Sequence, residues 1–254
     1  MPELGLLIVN ADDFGGNPLA TDRIAECFQV GAITSTSAMV YMSDSERAAS
    51  IAKSCELPVG LHLNLTQPFE DPGTPQAVRE RQAAAARHFA GSRLQRVSYN
   101  PFLSSLVKAC IGDQLECFRA LYDCEPTHID GHNHAHLSPT VLLALPAATR
   151  IRTAESPARG TPSPGALLRR ARASFISHRY ITTDRFVAVD HLGSSPSEQE
   201  IDRLLAPADR SSLEIMTHPD RGRDHRLLTS EQWRAALKAR TLGSFSALRA
   251  TASQ

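Results

Sequence analysis

The 254 residues carry 27 basic and 27 acidic side chains, and a net charge of zero gives no pull toward nucleic acid or an anionic membrane surface. With 42% hydrophobic residues the chain can bury a large core, yet no apolar run approaches the ~20 residues of a spanning helix. Met1 to Val9 is too short for a signal peptide and lacks its basic start, and the five cysteines form no CxxC pair, so a cytoplasmic protein with reduced thiols is expected.

Leu4 to Asn10 (LGLLIVN) is almost continuously apolar, which predicts a parallel-sheet strand covered on both faces. It runs into Ala11-Asp12-Asp13-Phe14-Gly15-Gly16. Two adjacent carboxylates at the end of a buried strand are costly unless paired, hydrogen-bonded or bound to metal. A loop with a helix N-cap is the plain explanation; a metal ligand beside a general base is the functional one. Thr21 to Val30 then predicts a helix stopped by Gly31, Ile33 to Val40 a second strand, and Asp44 to Ser54 a second helix. In VGLHLNLTQP after Pro58, Leu61, Leu63 and Leu65 alternate with His62 and Asn64, so His62 points away from the leucines.

From 66 to 100 the pattern lapses into turn-rich EDPGTP and the helix former RERQAAAARHF, which reads as an insertion or lid. Phe102 to Tyr122 predicts a long helix, and the heptad spacing of Cys110, Cys117 and Cys124 would align them on one helix face.

The segment Thr127 to Pro139 (THIDGHNHAHLSP) holds four of the ten histidines. His128, Asp130, His132, His134 and His136 recur with period two, which an extended backbone would place on one side. His128, His132 and His136 are also four apart and would share a helix face. Pro126, the β-branched Thr127 and Ile129, Gly131 and the Ser138-Pro139 start signal favour a short strand, a turn bearing histidines, then a helix. Beyond it, Arg150 to Thr153 reads as a short strand and Ser156 to Gly165 as a linker. Leu167 to Arg179 reads as a helix with a solvated basic face, and Val187 to Leu192 as a strand. Ser197 to Leu205 and Ser230 to Arg240 are helices, and Leu213 to Met216 is a buried strand ending in Thr217-His218-Pro219-Asp220.

About seven strand–helix units fit a (β/α) barrel, and no glycine-rich phosphate-binding motif follows any strand. In a barrel Asp12, Asp13, His62, the 128–136 cluster and His218 fall at the carboxyl ends of strands, at one mouth. Two imidazoles and a carboxylate would leave a metal with open positions, a second carboxylate could take a proton from water, and a separate histidine could protonate a leaving group.

NADDFG, GLHLNLT, THIDGHNHAHLSP and LEIMTHP together resemble, in order and spacing, the motifs of the YdjC/ChbG family of carbohydrate deacetylases, which includes a hopanoid-associated branch. The resemblance implies a single-domain α/β fold, an irregular (β/α) barrel like that of polysaccharide deacetylases. It implies one divalent metal, Mg2+ or Zn2+, and removal of an acetyl group from an N-acetylated sugar such as a chitooligosaccharide, or from a glycolipid. Carried over by motif, Asp13, His62 and His132 are the metal ligands, Asp12 the catalytic base and His218 the general acid. His128, Asp130, His134 and His136 then orient the ligands or touch substrate. GNPLAT after ADDFG and the segment 156–179 match no feature of that family. The expected partner is a small carbohydrate, with no nucleic acid and no membrane span, and a homodimer is a further expectation. The alternatives are another metal-dependent hydrolase, such as a phosphoesterase, or a non-catalytic sugar-binding protein.

Overall fold

The computed structural model describes residues 5–90, 99–153 and 164–249. Six strands, β1 (Leu6–Phe14), β2 (Ser35–Ala38), β3 (Val59–Leu63), β4 (Ile129–Gly131), β5 (Arg185–Ala188) and β6 (Ser212–Thr217), lie in the order β4-β3-β2-β1-β6-β5. Every neighbouring pair is parallel. Parallel neighbours require crossovers. The helices that accompany them are α1 (Pro18–Gln29), α2 (Ser45–Cys55), α3 (Gln76–Phe89), α4 (Ser104–Tyr122), α5 (Pro139–Ala144), α6 (Pro164–Arg179), α7 (Glu198–Leu205), α8 (Gly222–Leu228) and α9 (Glu231–Lys238).

Single bridges carry the pairing past β4, from Ile129 to Ile151 and from Arg150 to Ile181. From Ile181 the chain runs into β5, which pairs with β6. Backbone pairing thus travels from one end of the strand order round to the other, and the result is an irregular (β/α) barrel. The strand expected at Arg150 to Thr153 supplies these bridges and no longer ladder.

Strand alternation sorts the side chains into two environments. Leu7, Val9 and Ala11 of β1, Leu61 and Leu63 of β3, and Leu213 and Ile215 of β6 join the main apolar cluster with helix residues such as Ile24, Phe118 and Trp233. The alternate positions are polar and just as buried: Asn10 and Asp12 on β1, Ser37 on β2, His62 on β3, Asp130 on β4 and Glu214 on β6, with Arg152 among them. A separate small cluster of Ile8, Phe245 and Leu248 closes this interior at one end. There His128 stacks on Phe245, ring centroids 3.7 Å apart and planes within 10°.

Local chemistry explains the boundaries. Asn17 caps α1 by accepting from Ala20 N, with Pro18 following, and Ser197 closes a capping box with Glu200 on α7. Asp123, left-handed at φ 57°, ends α4, so Cys110 and Cys117 share that helix while Cys124 lies beyond it. The short polar helix α8 lacks the apolar periodicity that would have announced it. Within the segment expected as a lid or insertion, α3 packs against α4. Gln114 grips the preceding loop, accepting from Asn64 N and donating to Asn64 O, both at 2.8 Å. Residues 91–98 of that segment, and 156–163 of the expected linker, lie outside the described residues. Among the described residues no helix is long and apolar enough to cross a membrane.

Two stability tests follow from the closed end. A Cβ on Gly60 would lie 2.3 Å from the His128 ring, so Gly60→Ala is expected to cost about 1–3 kcal/mol or more in urea unfolding; a cost below measurement error would contradict this packing. Burial pushes the His128 imidazole down to about 4. Between its unfolded value near 6.5 and that value the unfolded chain holds the extra proton, so this histidine removes about 3 kcal/mol of stability as pH falls through the window. His128→Phe should flatten that part of the pH–stability curve, and an unchanged slope would contradict it.

Candidate metal centre

The barrel mouth begins with an irregularity in β1. Ala11 is level with Thr36 of β2, but the next matched pair is Phe14 with Ala38, so β1 carries one extra residue there. Asp13 takes up the excess with φ 72°, a left-handed conformation that a non-glycine residue adopts at a cost. In a regular strand Asp12 and Asp13 would face opposite sides of the sheet. The bulge instead lets Asp12 point into the barrel while Asp13 turns toward the histidines above it.

Asp13 Oδ1 lies 3.2 Å from His62 Nε2 and 3.1 Å from His132 Nδ1. The ligand atoms of these three residues all lie within 4.8 Å of one another. The parallel register sets His62 directly beside Asp130, and Asp130 Oδ1 takes the other ring nitrogen, Nδ1, at 2.8 Å. A carboxylate on one imidazole nitrogen fixes ring orientation and leaves the opposite lone pair toward the centre, the usual support of a metal-binding histidine. His132 follows β4 immediately, in a tight turn (His132–Leu137) where Asn133 and His134 are both left-handed, at φ 54° and 56°. That turn ends the period-two pattern at Gly131, so the expected order of strand, turn and helix holds while a single liganding face does not.

Arg152 occupies the barrel interior with no exposed surface. Its Nη1 and Nη2 donate to Asp12 Oδ2 and Oδ1 at 2.7 and 2.6 Å, its Nε donates to Glu214 Oε1 at 2.6 Å, and Nη2 is 2.8 Å from Asp130 Oδ2. Ser37 donates to Asp130 Oδ2 at 2.9 Å, and Asn10 Nδ2 to Asp12 Oδ1 at 3.0 Å. Burial alone would raise the Asp12 carboxyl, but the Arg152 guanidinium overrides it and holds the group below its ordinary value. Burial likewise opposes ionisation of Asp13, and hydrogen bonds from His132 and His62 override it, leaving Asp13 far below the usual carboxylate range. For His62, burial opposes the charge, and Asp130 together with the hydrogen bond to Asp13 more than restores it, so the ring holds a proton well above its ordinary range.

The donor set fits a divalent ion on chemical grounds. Asp12 and Asp130 share the Arg152 guanidinium, whereas Asp13 meets only imidazole rings among the described residues, so the mouth holds an excess of negative charge next to two imidazoles. Asp12 is already committed to Arg152, whereas the Asp13 carboxylate meets, among the described residues, only the two imidazoles within 3.5 Å.

His218, at the end of β6, places Nε2 4.0 Å from Asp13 Oδ2, outside that three-residue group. Two contacts fix its loop: Asp224 Oδ2 accepts from His218 N at 3.0 Å, and Arg23 Nη1 donates to Asp220 O at 2.6 Å. The other members of the 128–136 cluster separate. His128 lies at the closed end, His136 Nε2 meets Arg152 O at 3.2 Å, and His134 is exposed at the mouth, edge-on to Phe186 at 5.9 Å. Arg152 and Glu214 are charged interior residues that the sequence pattern left without a role; the neutral Asn10 and Ser37 were left so as well. The two charged residues each had a signal: a charged side chain flanked by Ile151 and Thr153, and another inside the apolar LEIM, must find a partner if its strand is buried.

A parallel (β/α) barrel with an Asp-His-His group at the carboxyl ends of its strands defines a class of barrel that can carry a hydrolytic metal. The chain belongs to the YdjC-like family, whose description it matches over residues 6–242. It is 31% identical to a human carbohydrate deacetylase, over 84% of this chain and 74% of that protein. It is 30% identical to a chitooligosaccharide deacetylase of Serratia marcescens, over 84% of this chain and 81% of that one. In fold it is similar to a crystal structure from Enterococcus faecalis V583 described as a candidate cellobiose-phosphate cleavage protein. The TM-score is 0.70 at 20% identity, covering 96% of this chain and 98% of that one. The Xyl-CE4 domain of a termite-hindgut xylanase is a more distant likeness in fold, with a TM-score of 0.53 at 8% identity, 95% of this chain and 88% of that one.

Removing one partner from the Arg152 cluster strands buried charge. Arg152→Met is expected to lose about 3–5 kcal/mol in urea unfolding, and Arg152→Lys less, since lysine keeps the charge without the fork. A loss below 1 kcal/mol for the methionine variant would mean that the carboxylates do not depend on the guanidinium.

Proposed function

We propose that this protein is a metal-dependent carbohydrate deacetylase that hydrolyses the acetamide of an N-acetylated sugar, with chitooligosaccharides as the first substrates to test. The observation that carries the reading is the division of labour between two adjacent carboxylates. Asp12 is held by Arg152, and Asp13 meets His62 and His132. The activities named for the human and Serratia relatives support the same reading.

In this proposal Asp13, His62 and His132 would hold one divalent ion, which when bound would supply Lewis acidity toward the acetyl carbonyl and acidify water. Two imidazoles with a single carboxylate suit a first-row ion such as zinc better than magnesium, which prefers oxygen donors. Asp12 takes the proton from the attacking water. Among the described residues its Oδ2 accepts from Arg152 alone and keeps a lone pair for that proton, and Arg152 stabilises the carboxylate between turnovers. His218 lies outside the three-donor group and donates a proton to the departing amine nitrogen, with Asp224 and Arg23 holding its loop in place. Asp130 keeps the His62 ring aimed through both of its oxygens, one on Nδ1 and one shared by Ser37 and Arg152.

Acetate release from N,N′-diacetylchitobiose and longer oligomers is the direct assay, with a chromogenic phosphate ester as the control for another metal hydrolase. Release should stop with a chelator and return with added ion. His132→Ala should weaken metal binding, whereas His218→Ala should lower kcat about 10²- to 10⁴-fold with metal affinity unchanged. No release across a panel of N-acetyl sugars by metal-loaded protein would overturn the proposal.

A further inference from the structure

Glu214 is a buried carboxylate for which the deacetylation scheme has no task. It sits on β6 level with Ile8 of β1, four residues before Asp12, so the Arg152 side chain spans the two layers of the interior. Its Oε1 accepts from Arg152 Nε at 2.6 Å, and its Oε2 is buried with no hydrogen-bond partner among the described residues. Burial pushes this carboxyl up to about 7, against the pull of Arg152. Charge balance does not call for it, since Asp12 and Asp130 already face the guanidinium. What Glu214 does supply is direction.

A guanidinium is a planar fork whose donors lie at fixed angles, so holding one edge decides where the opposite edge points. Phe186 packs 5.3 Å from Cζ and limits tilting out of the plane, and His136 meets the Arg152 carbonyl behind it. In the plane, Asp130 Oδ2 lies 2.8 Å from Nη2, a nitrogen that Asp12 shares. Glu214 is the contact on the Nε edge, away from Asp12. We propose that Glu214 is a positioning residue: by holding Nε it turns both Nη groups of Arg152 onto Asp12 and so fixes the orientation of the carboxylate that accepts the proton. The inference rests on Asp12 being the base, and it adds the group that acts on the base through another side chain.

The test compares Glu214→Gln, which keeps an acceptor for Nε, with Glu214→Leu, which removes it at similar size. Glu214→Met makes the same comparison if the leucine variant does not fold. With the protein metal-loaded and acting on a chitooligosaccharide, the apolar variant should lose about 10- to 100-fold in kcat, with KM and metal affinity changed less than about twofold, and the glutamine variant should recover most of the rate. Crystal structures of both variants supply a readout independent of turnover. The apolar variant should show the Arg152 fork rotated and Asp12 left with one guanidinium contact, while the glutamine variant keeps two. A Glu214→Leu or Glu214→Met protein that loses thermal stability but keeps kcat, or that keeps the two-point Arg152–Asp12 pair, overturns the proposal. If wild-type protein releases no acetate from any N-acetyl sugar, the deacetylase reading fails on its own, and the crystallographic comparison still decides whether Glu214 orients Arg152.

Discussion

A guanidinium with no exposed surface in the middle of a barrel is an expensive object, and the rest of this site is arranged around making it tolerable. Arg152 takes both oxygens of Asp12, one of Asp130 and one of Glu214. Each of those contacts has a second consequence. Asp12 becomes a fixed carboxylate rather than a mobile one. Asp130 is left with its other oxygen on His62, which aims that ring's far nitrogen at Asp13. A single buried cation therefore separates the acidic groups into three that it contacts inside the barrel and one, Asp13, that faces the mouth with two imidazoles.

The barrel brings these groups together through two backbone devices. Parallel register makes His62 and Asp130 direct neighbours although they are 68 residues apart in sequence. The bulge in β1 does the reverse, giving Asp12 and Asp13 different surroundings although they are adjacent. Strand order completes the arrangement: β1 is central, with β3 and β4 to one side and β6 to the other. The carboxyl ends of all four therefore open on one mouth, where Asp13 has the two imidazoles within 3.2 Å and His218 within 4.0 Å.

Much of this was legible in the sequence because it depends on periodicity. The apolar run before Asp12, the leucine–histidine alternation around His62 and the LEIM run before His218 are local patterns, and each became a strand carrying its polar residue to the expected end. The turn after Gly131 was legible too, from the residues that weaken regular structure. The placing of individual histidines within that turn was not. Five polar residues at spacing two look equivalent in sequence, yet His128 stacks on Phe245, Asp130 serves His62, His132 faces Asp13, and His136 supports the backbone of Arg152. What separates them is contact with Gly60, Phe245 and Arg152, residues remote in sequence that no local window contains. Arg152 itself was read only as part of a short strand, because the partners that make its burial tolerable lie on β1, β4 and β6.

In the proposed mechanism Arg152 reserves Asp12 for proton transfer and leaves Asp13, His62 and His132 to hold the ion. Anomalous diffraction from crystals grown with zinc or cobalt addresses it most directly. One strong peak bounded by the Asp13 carboxylate, His62 Nε2 and His132 Nδ1 is expected, with both Arg152–Asp12 contacts intact. A peak coordinated by Asp12, with Arg152 displaced from it, or no peak among the three residues at saturating ion, would contradict the account.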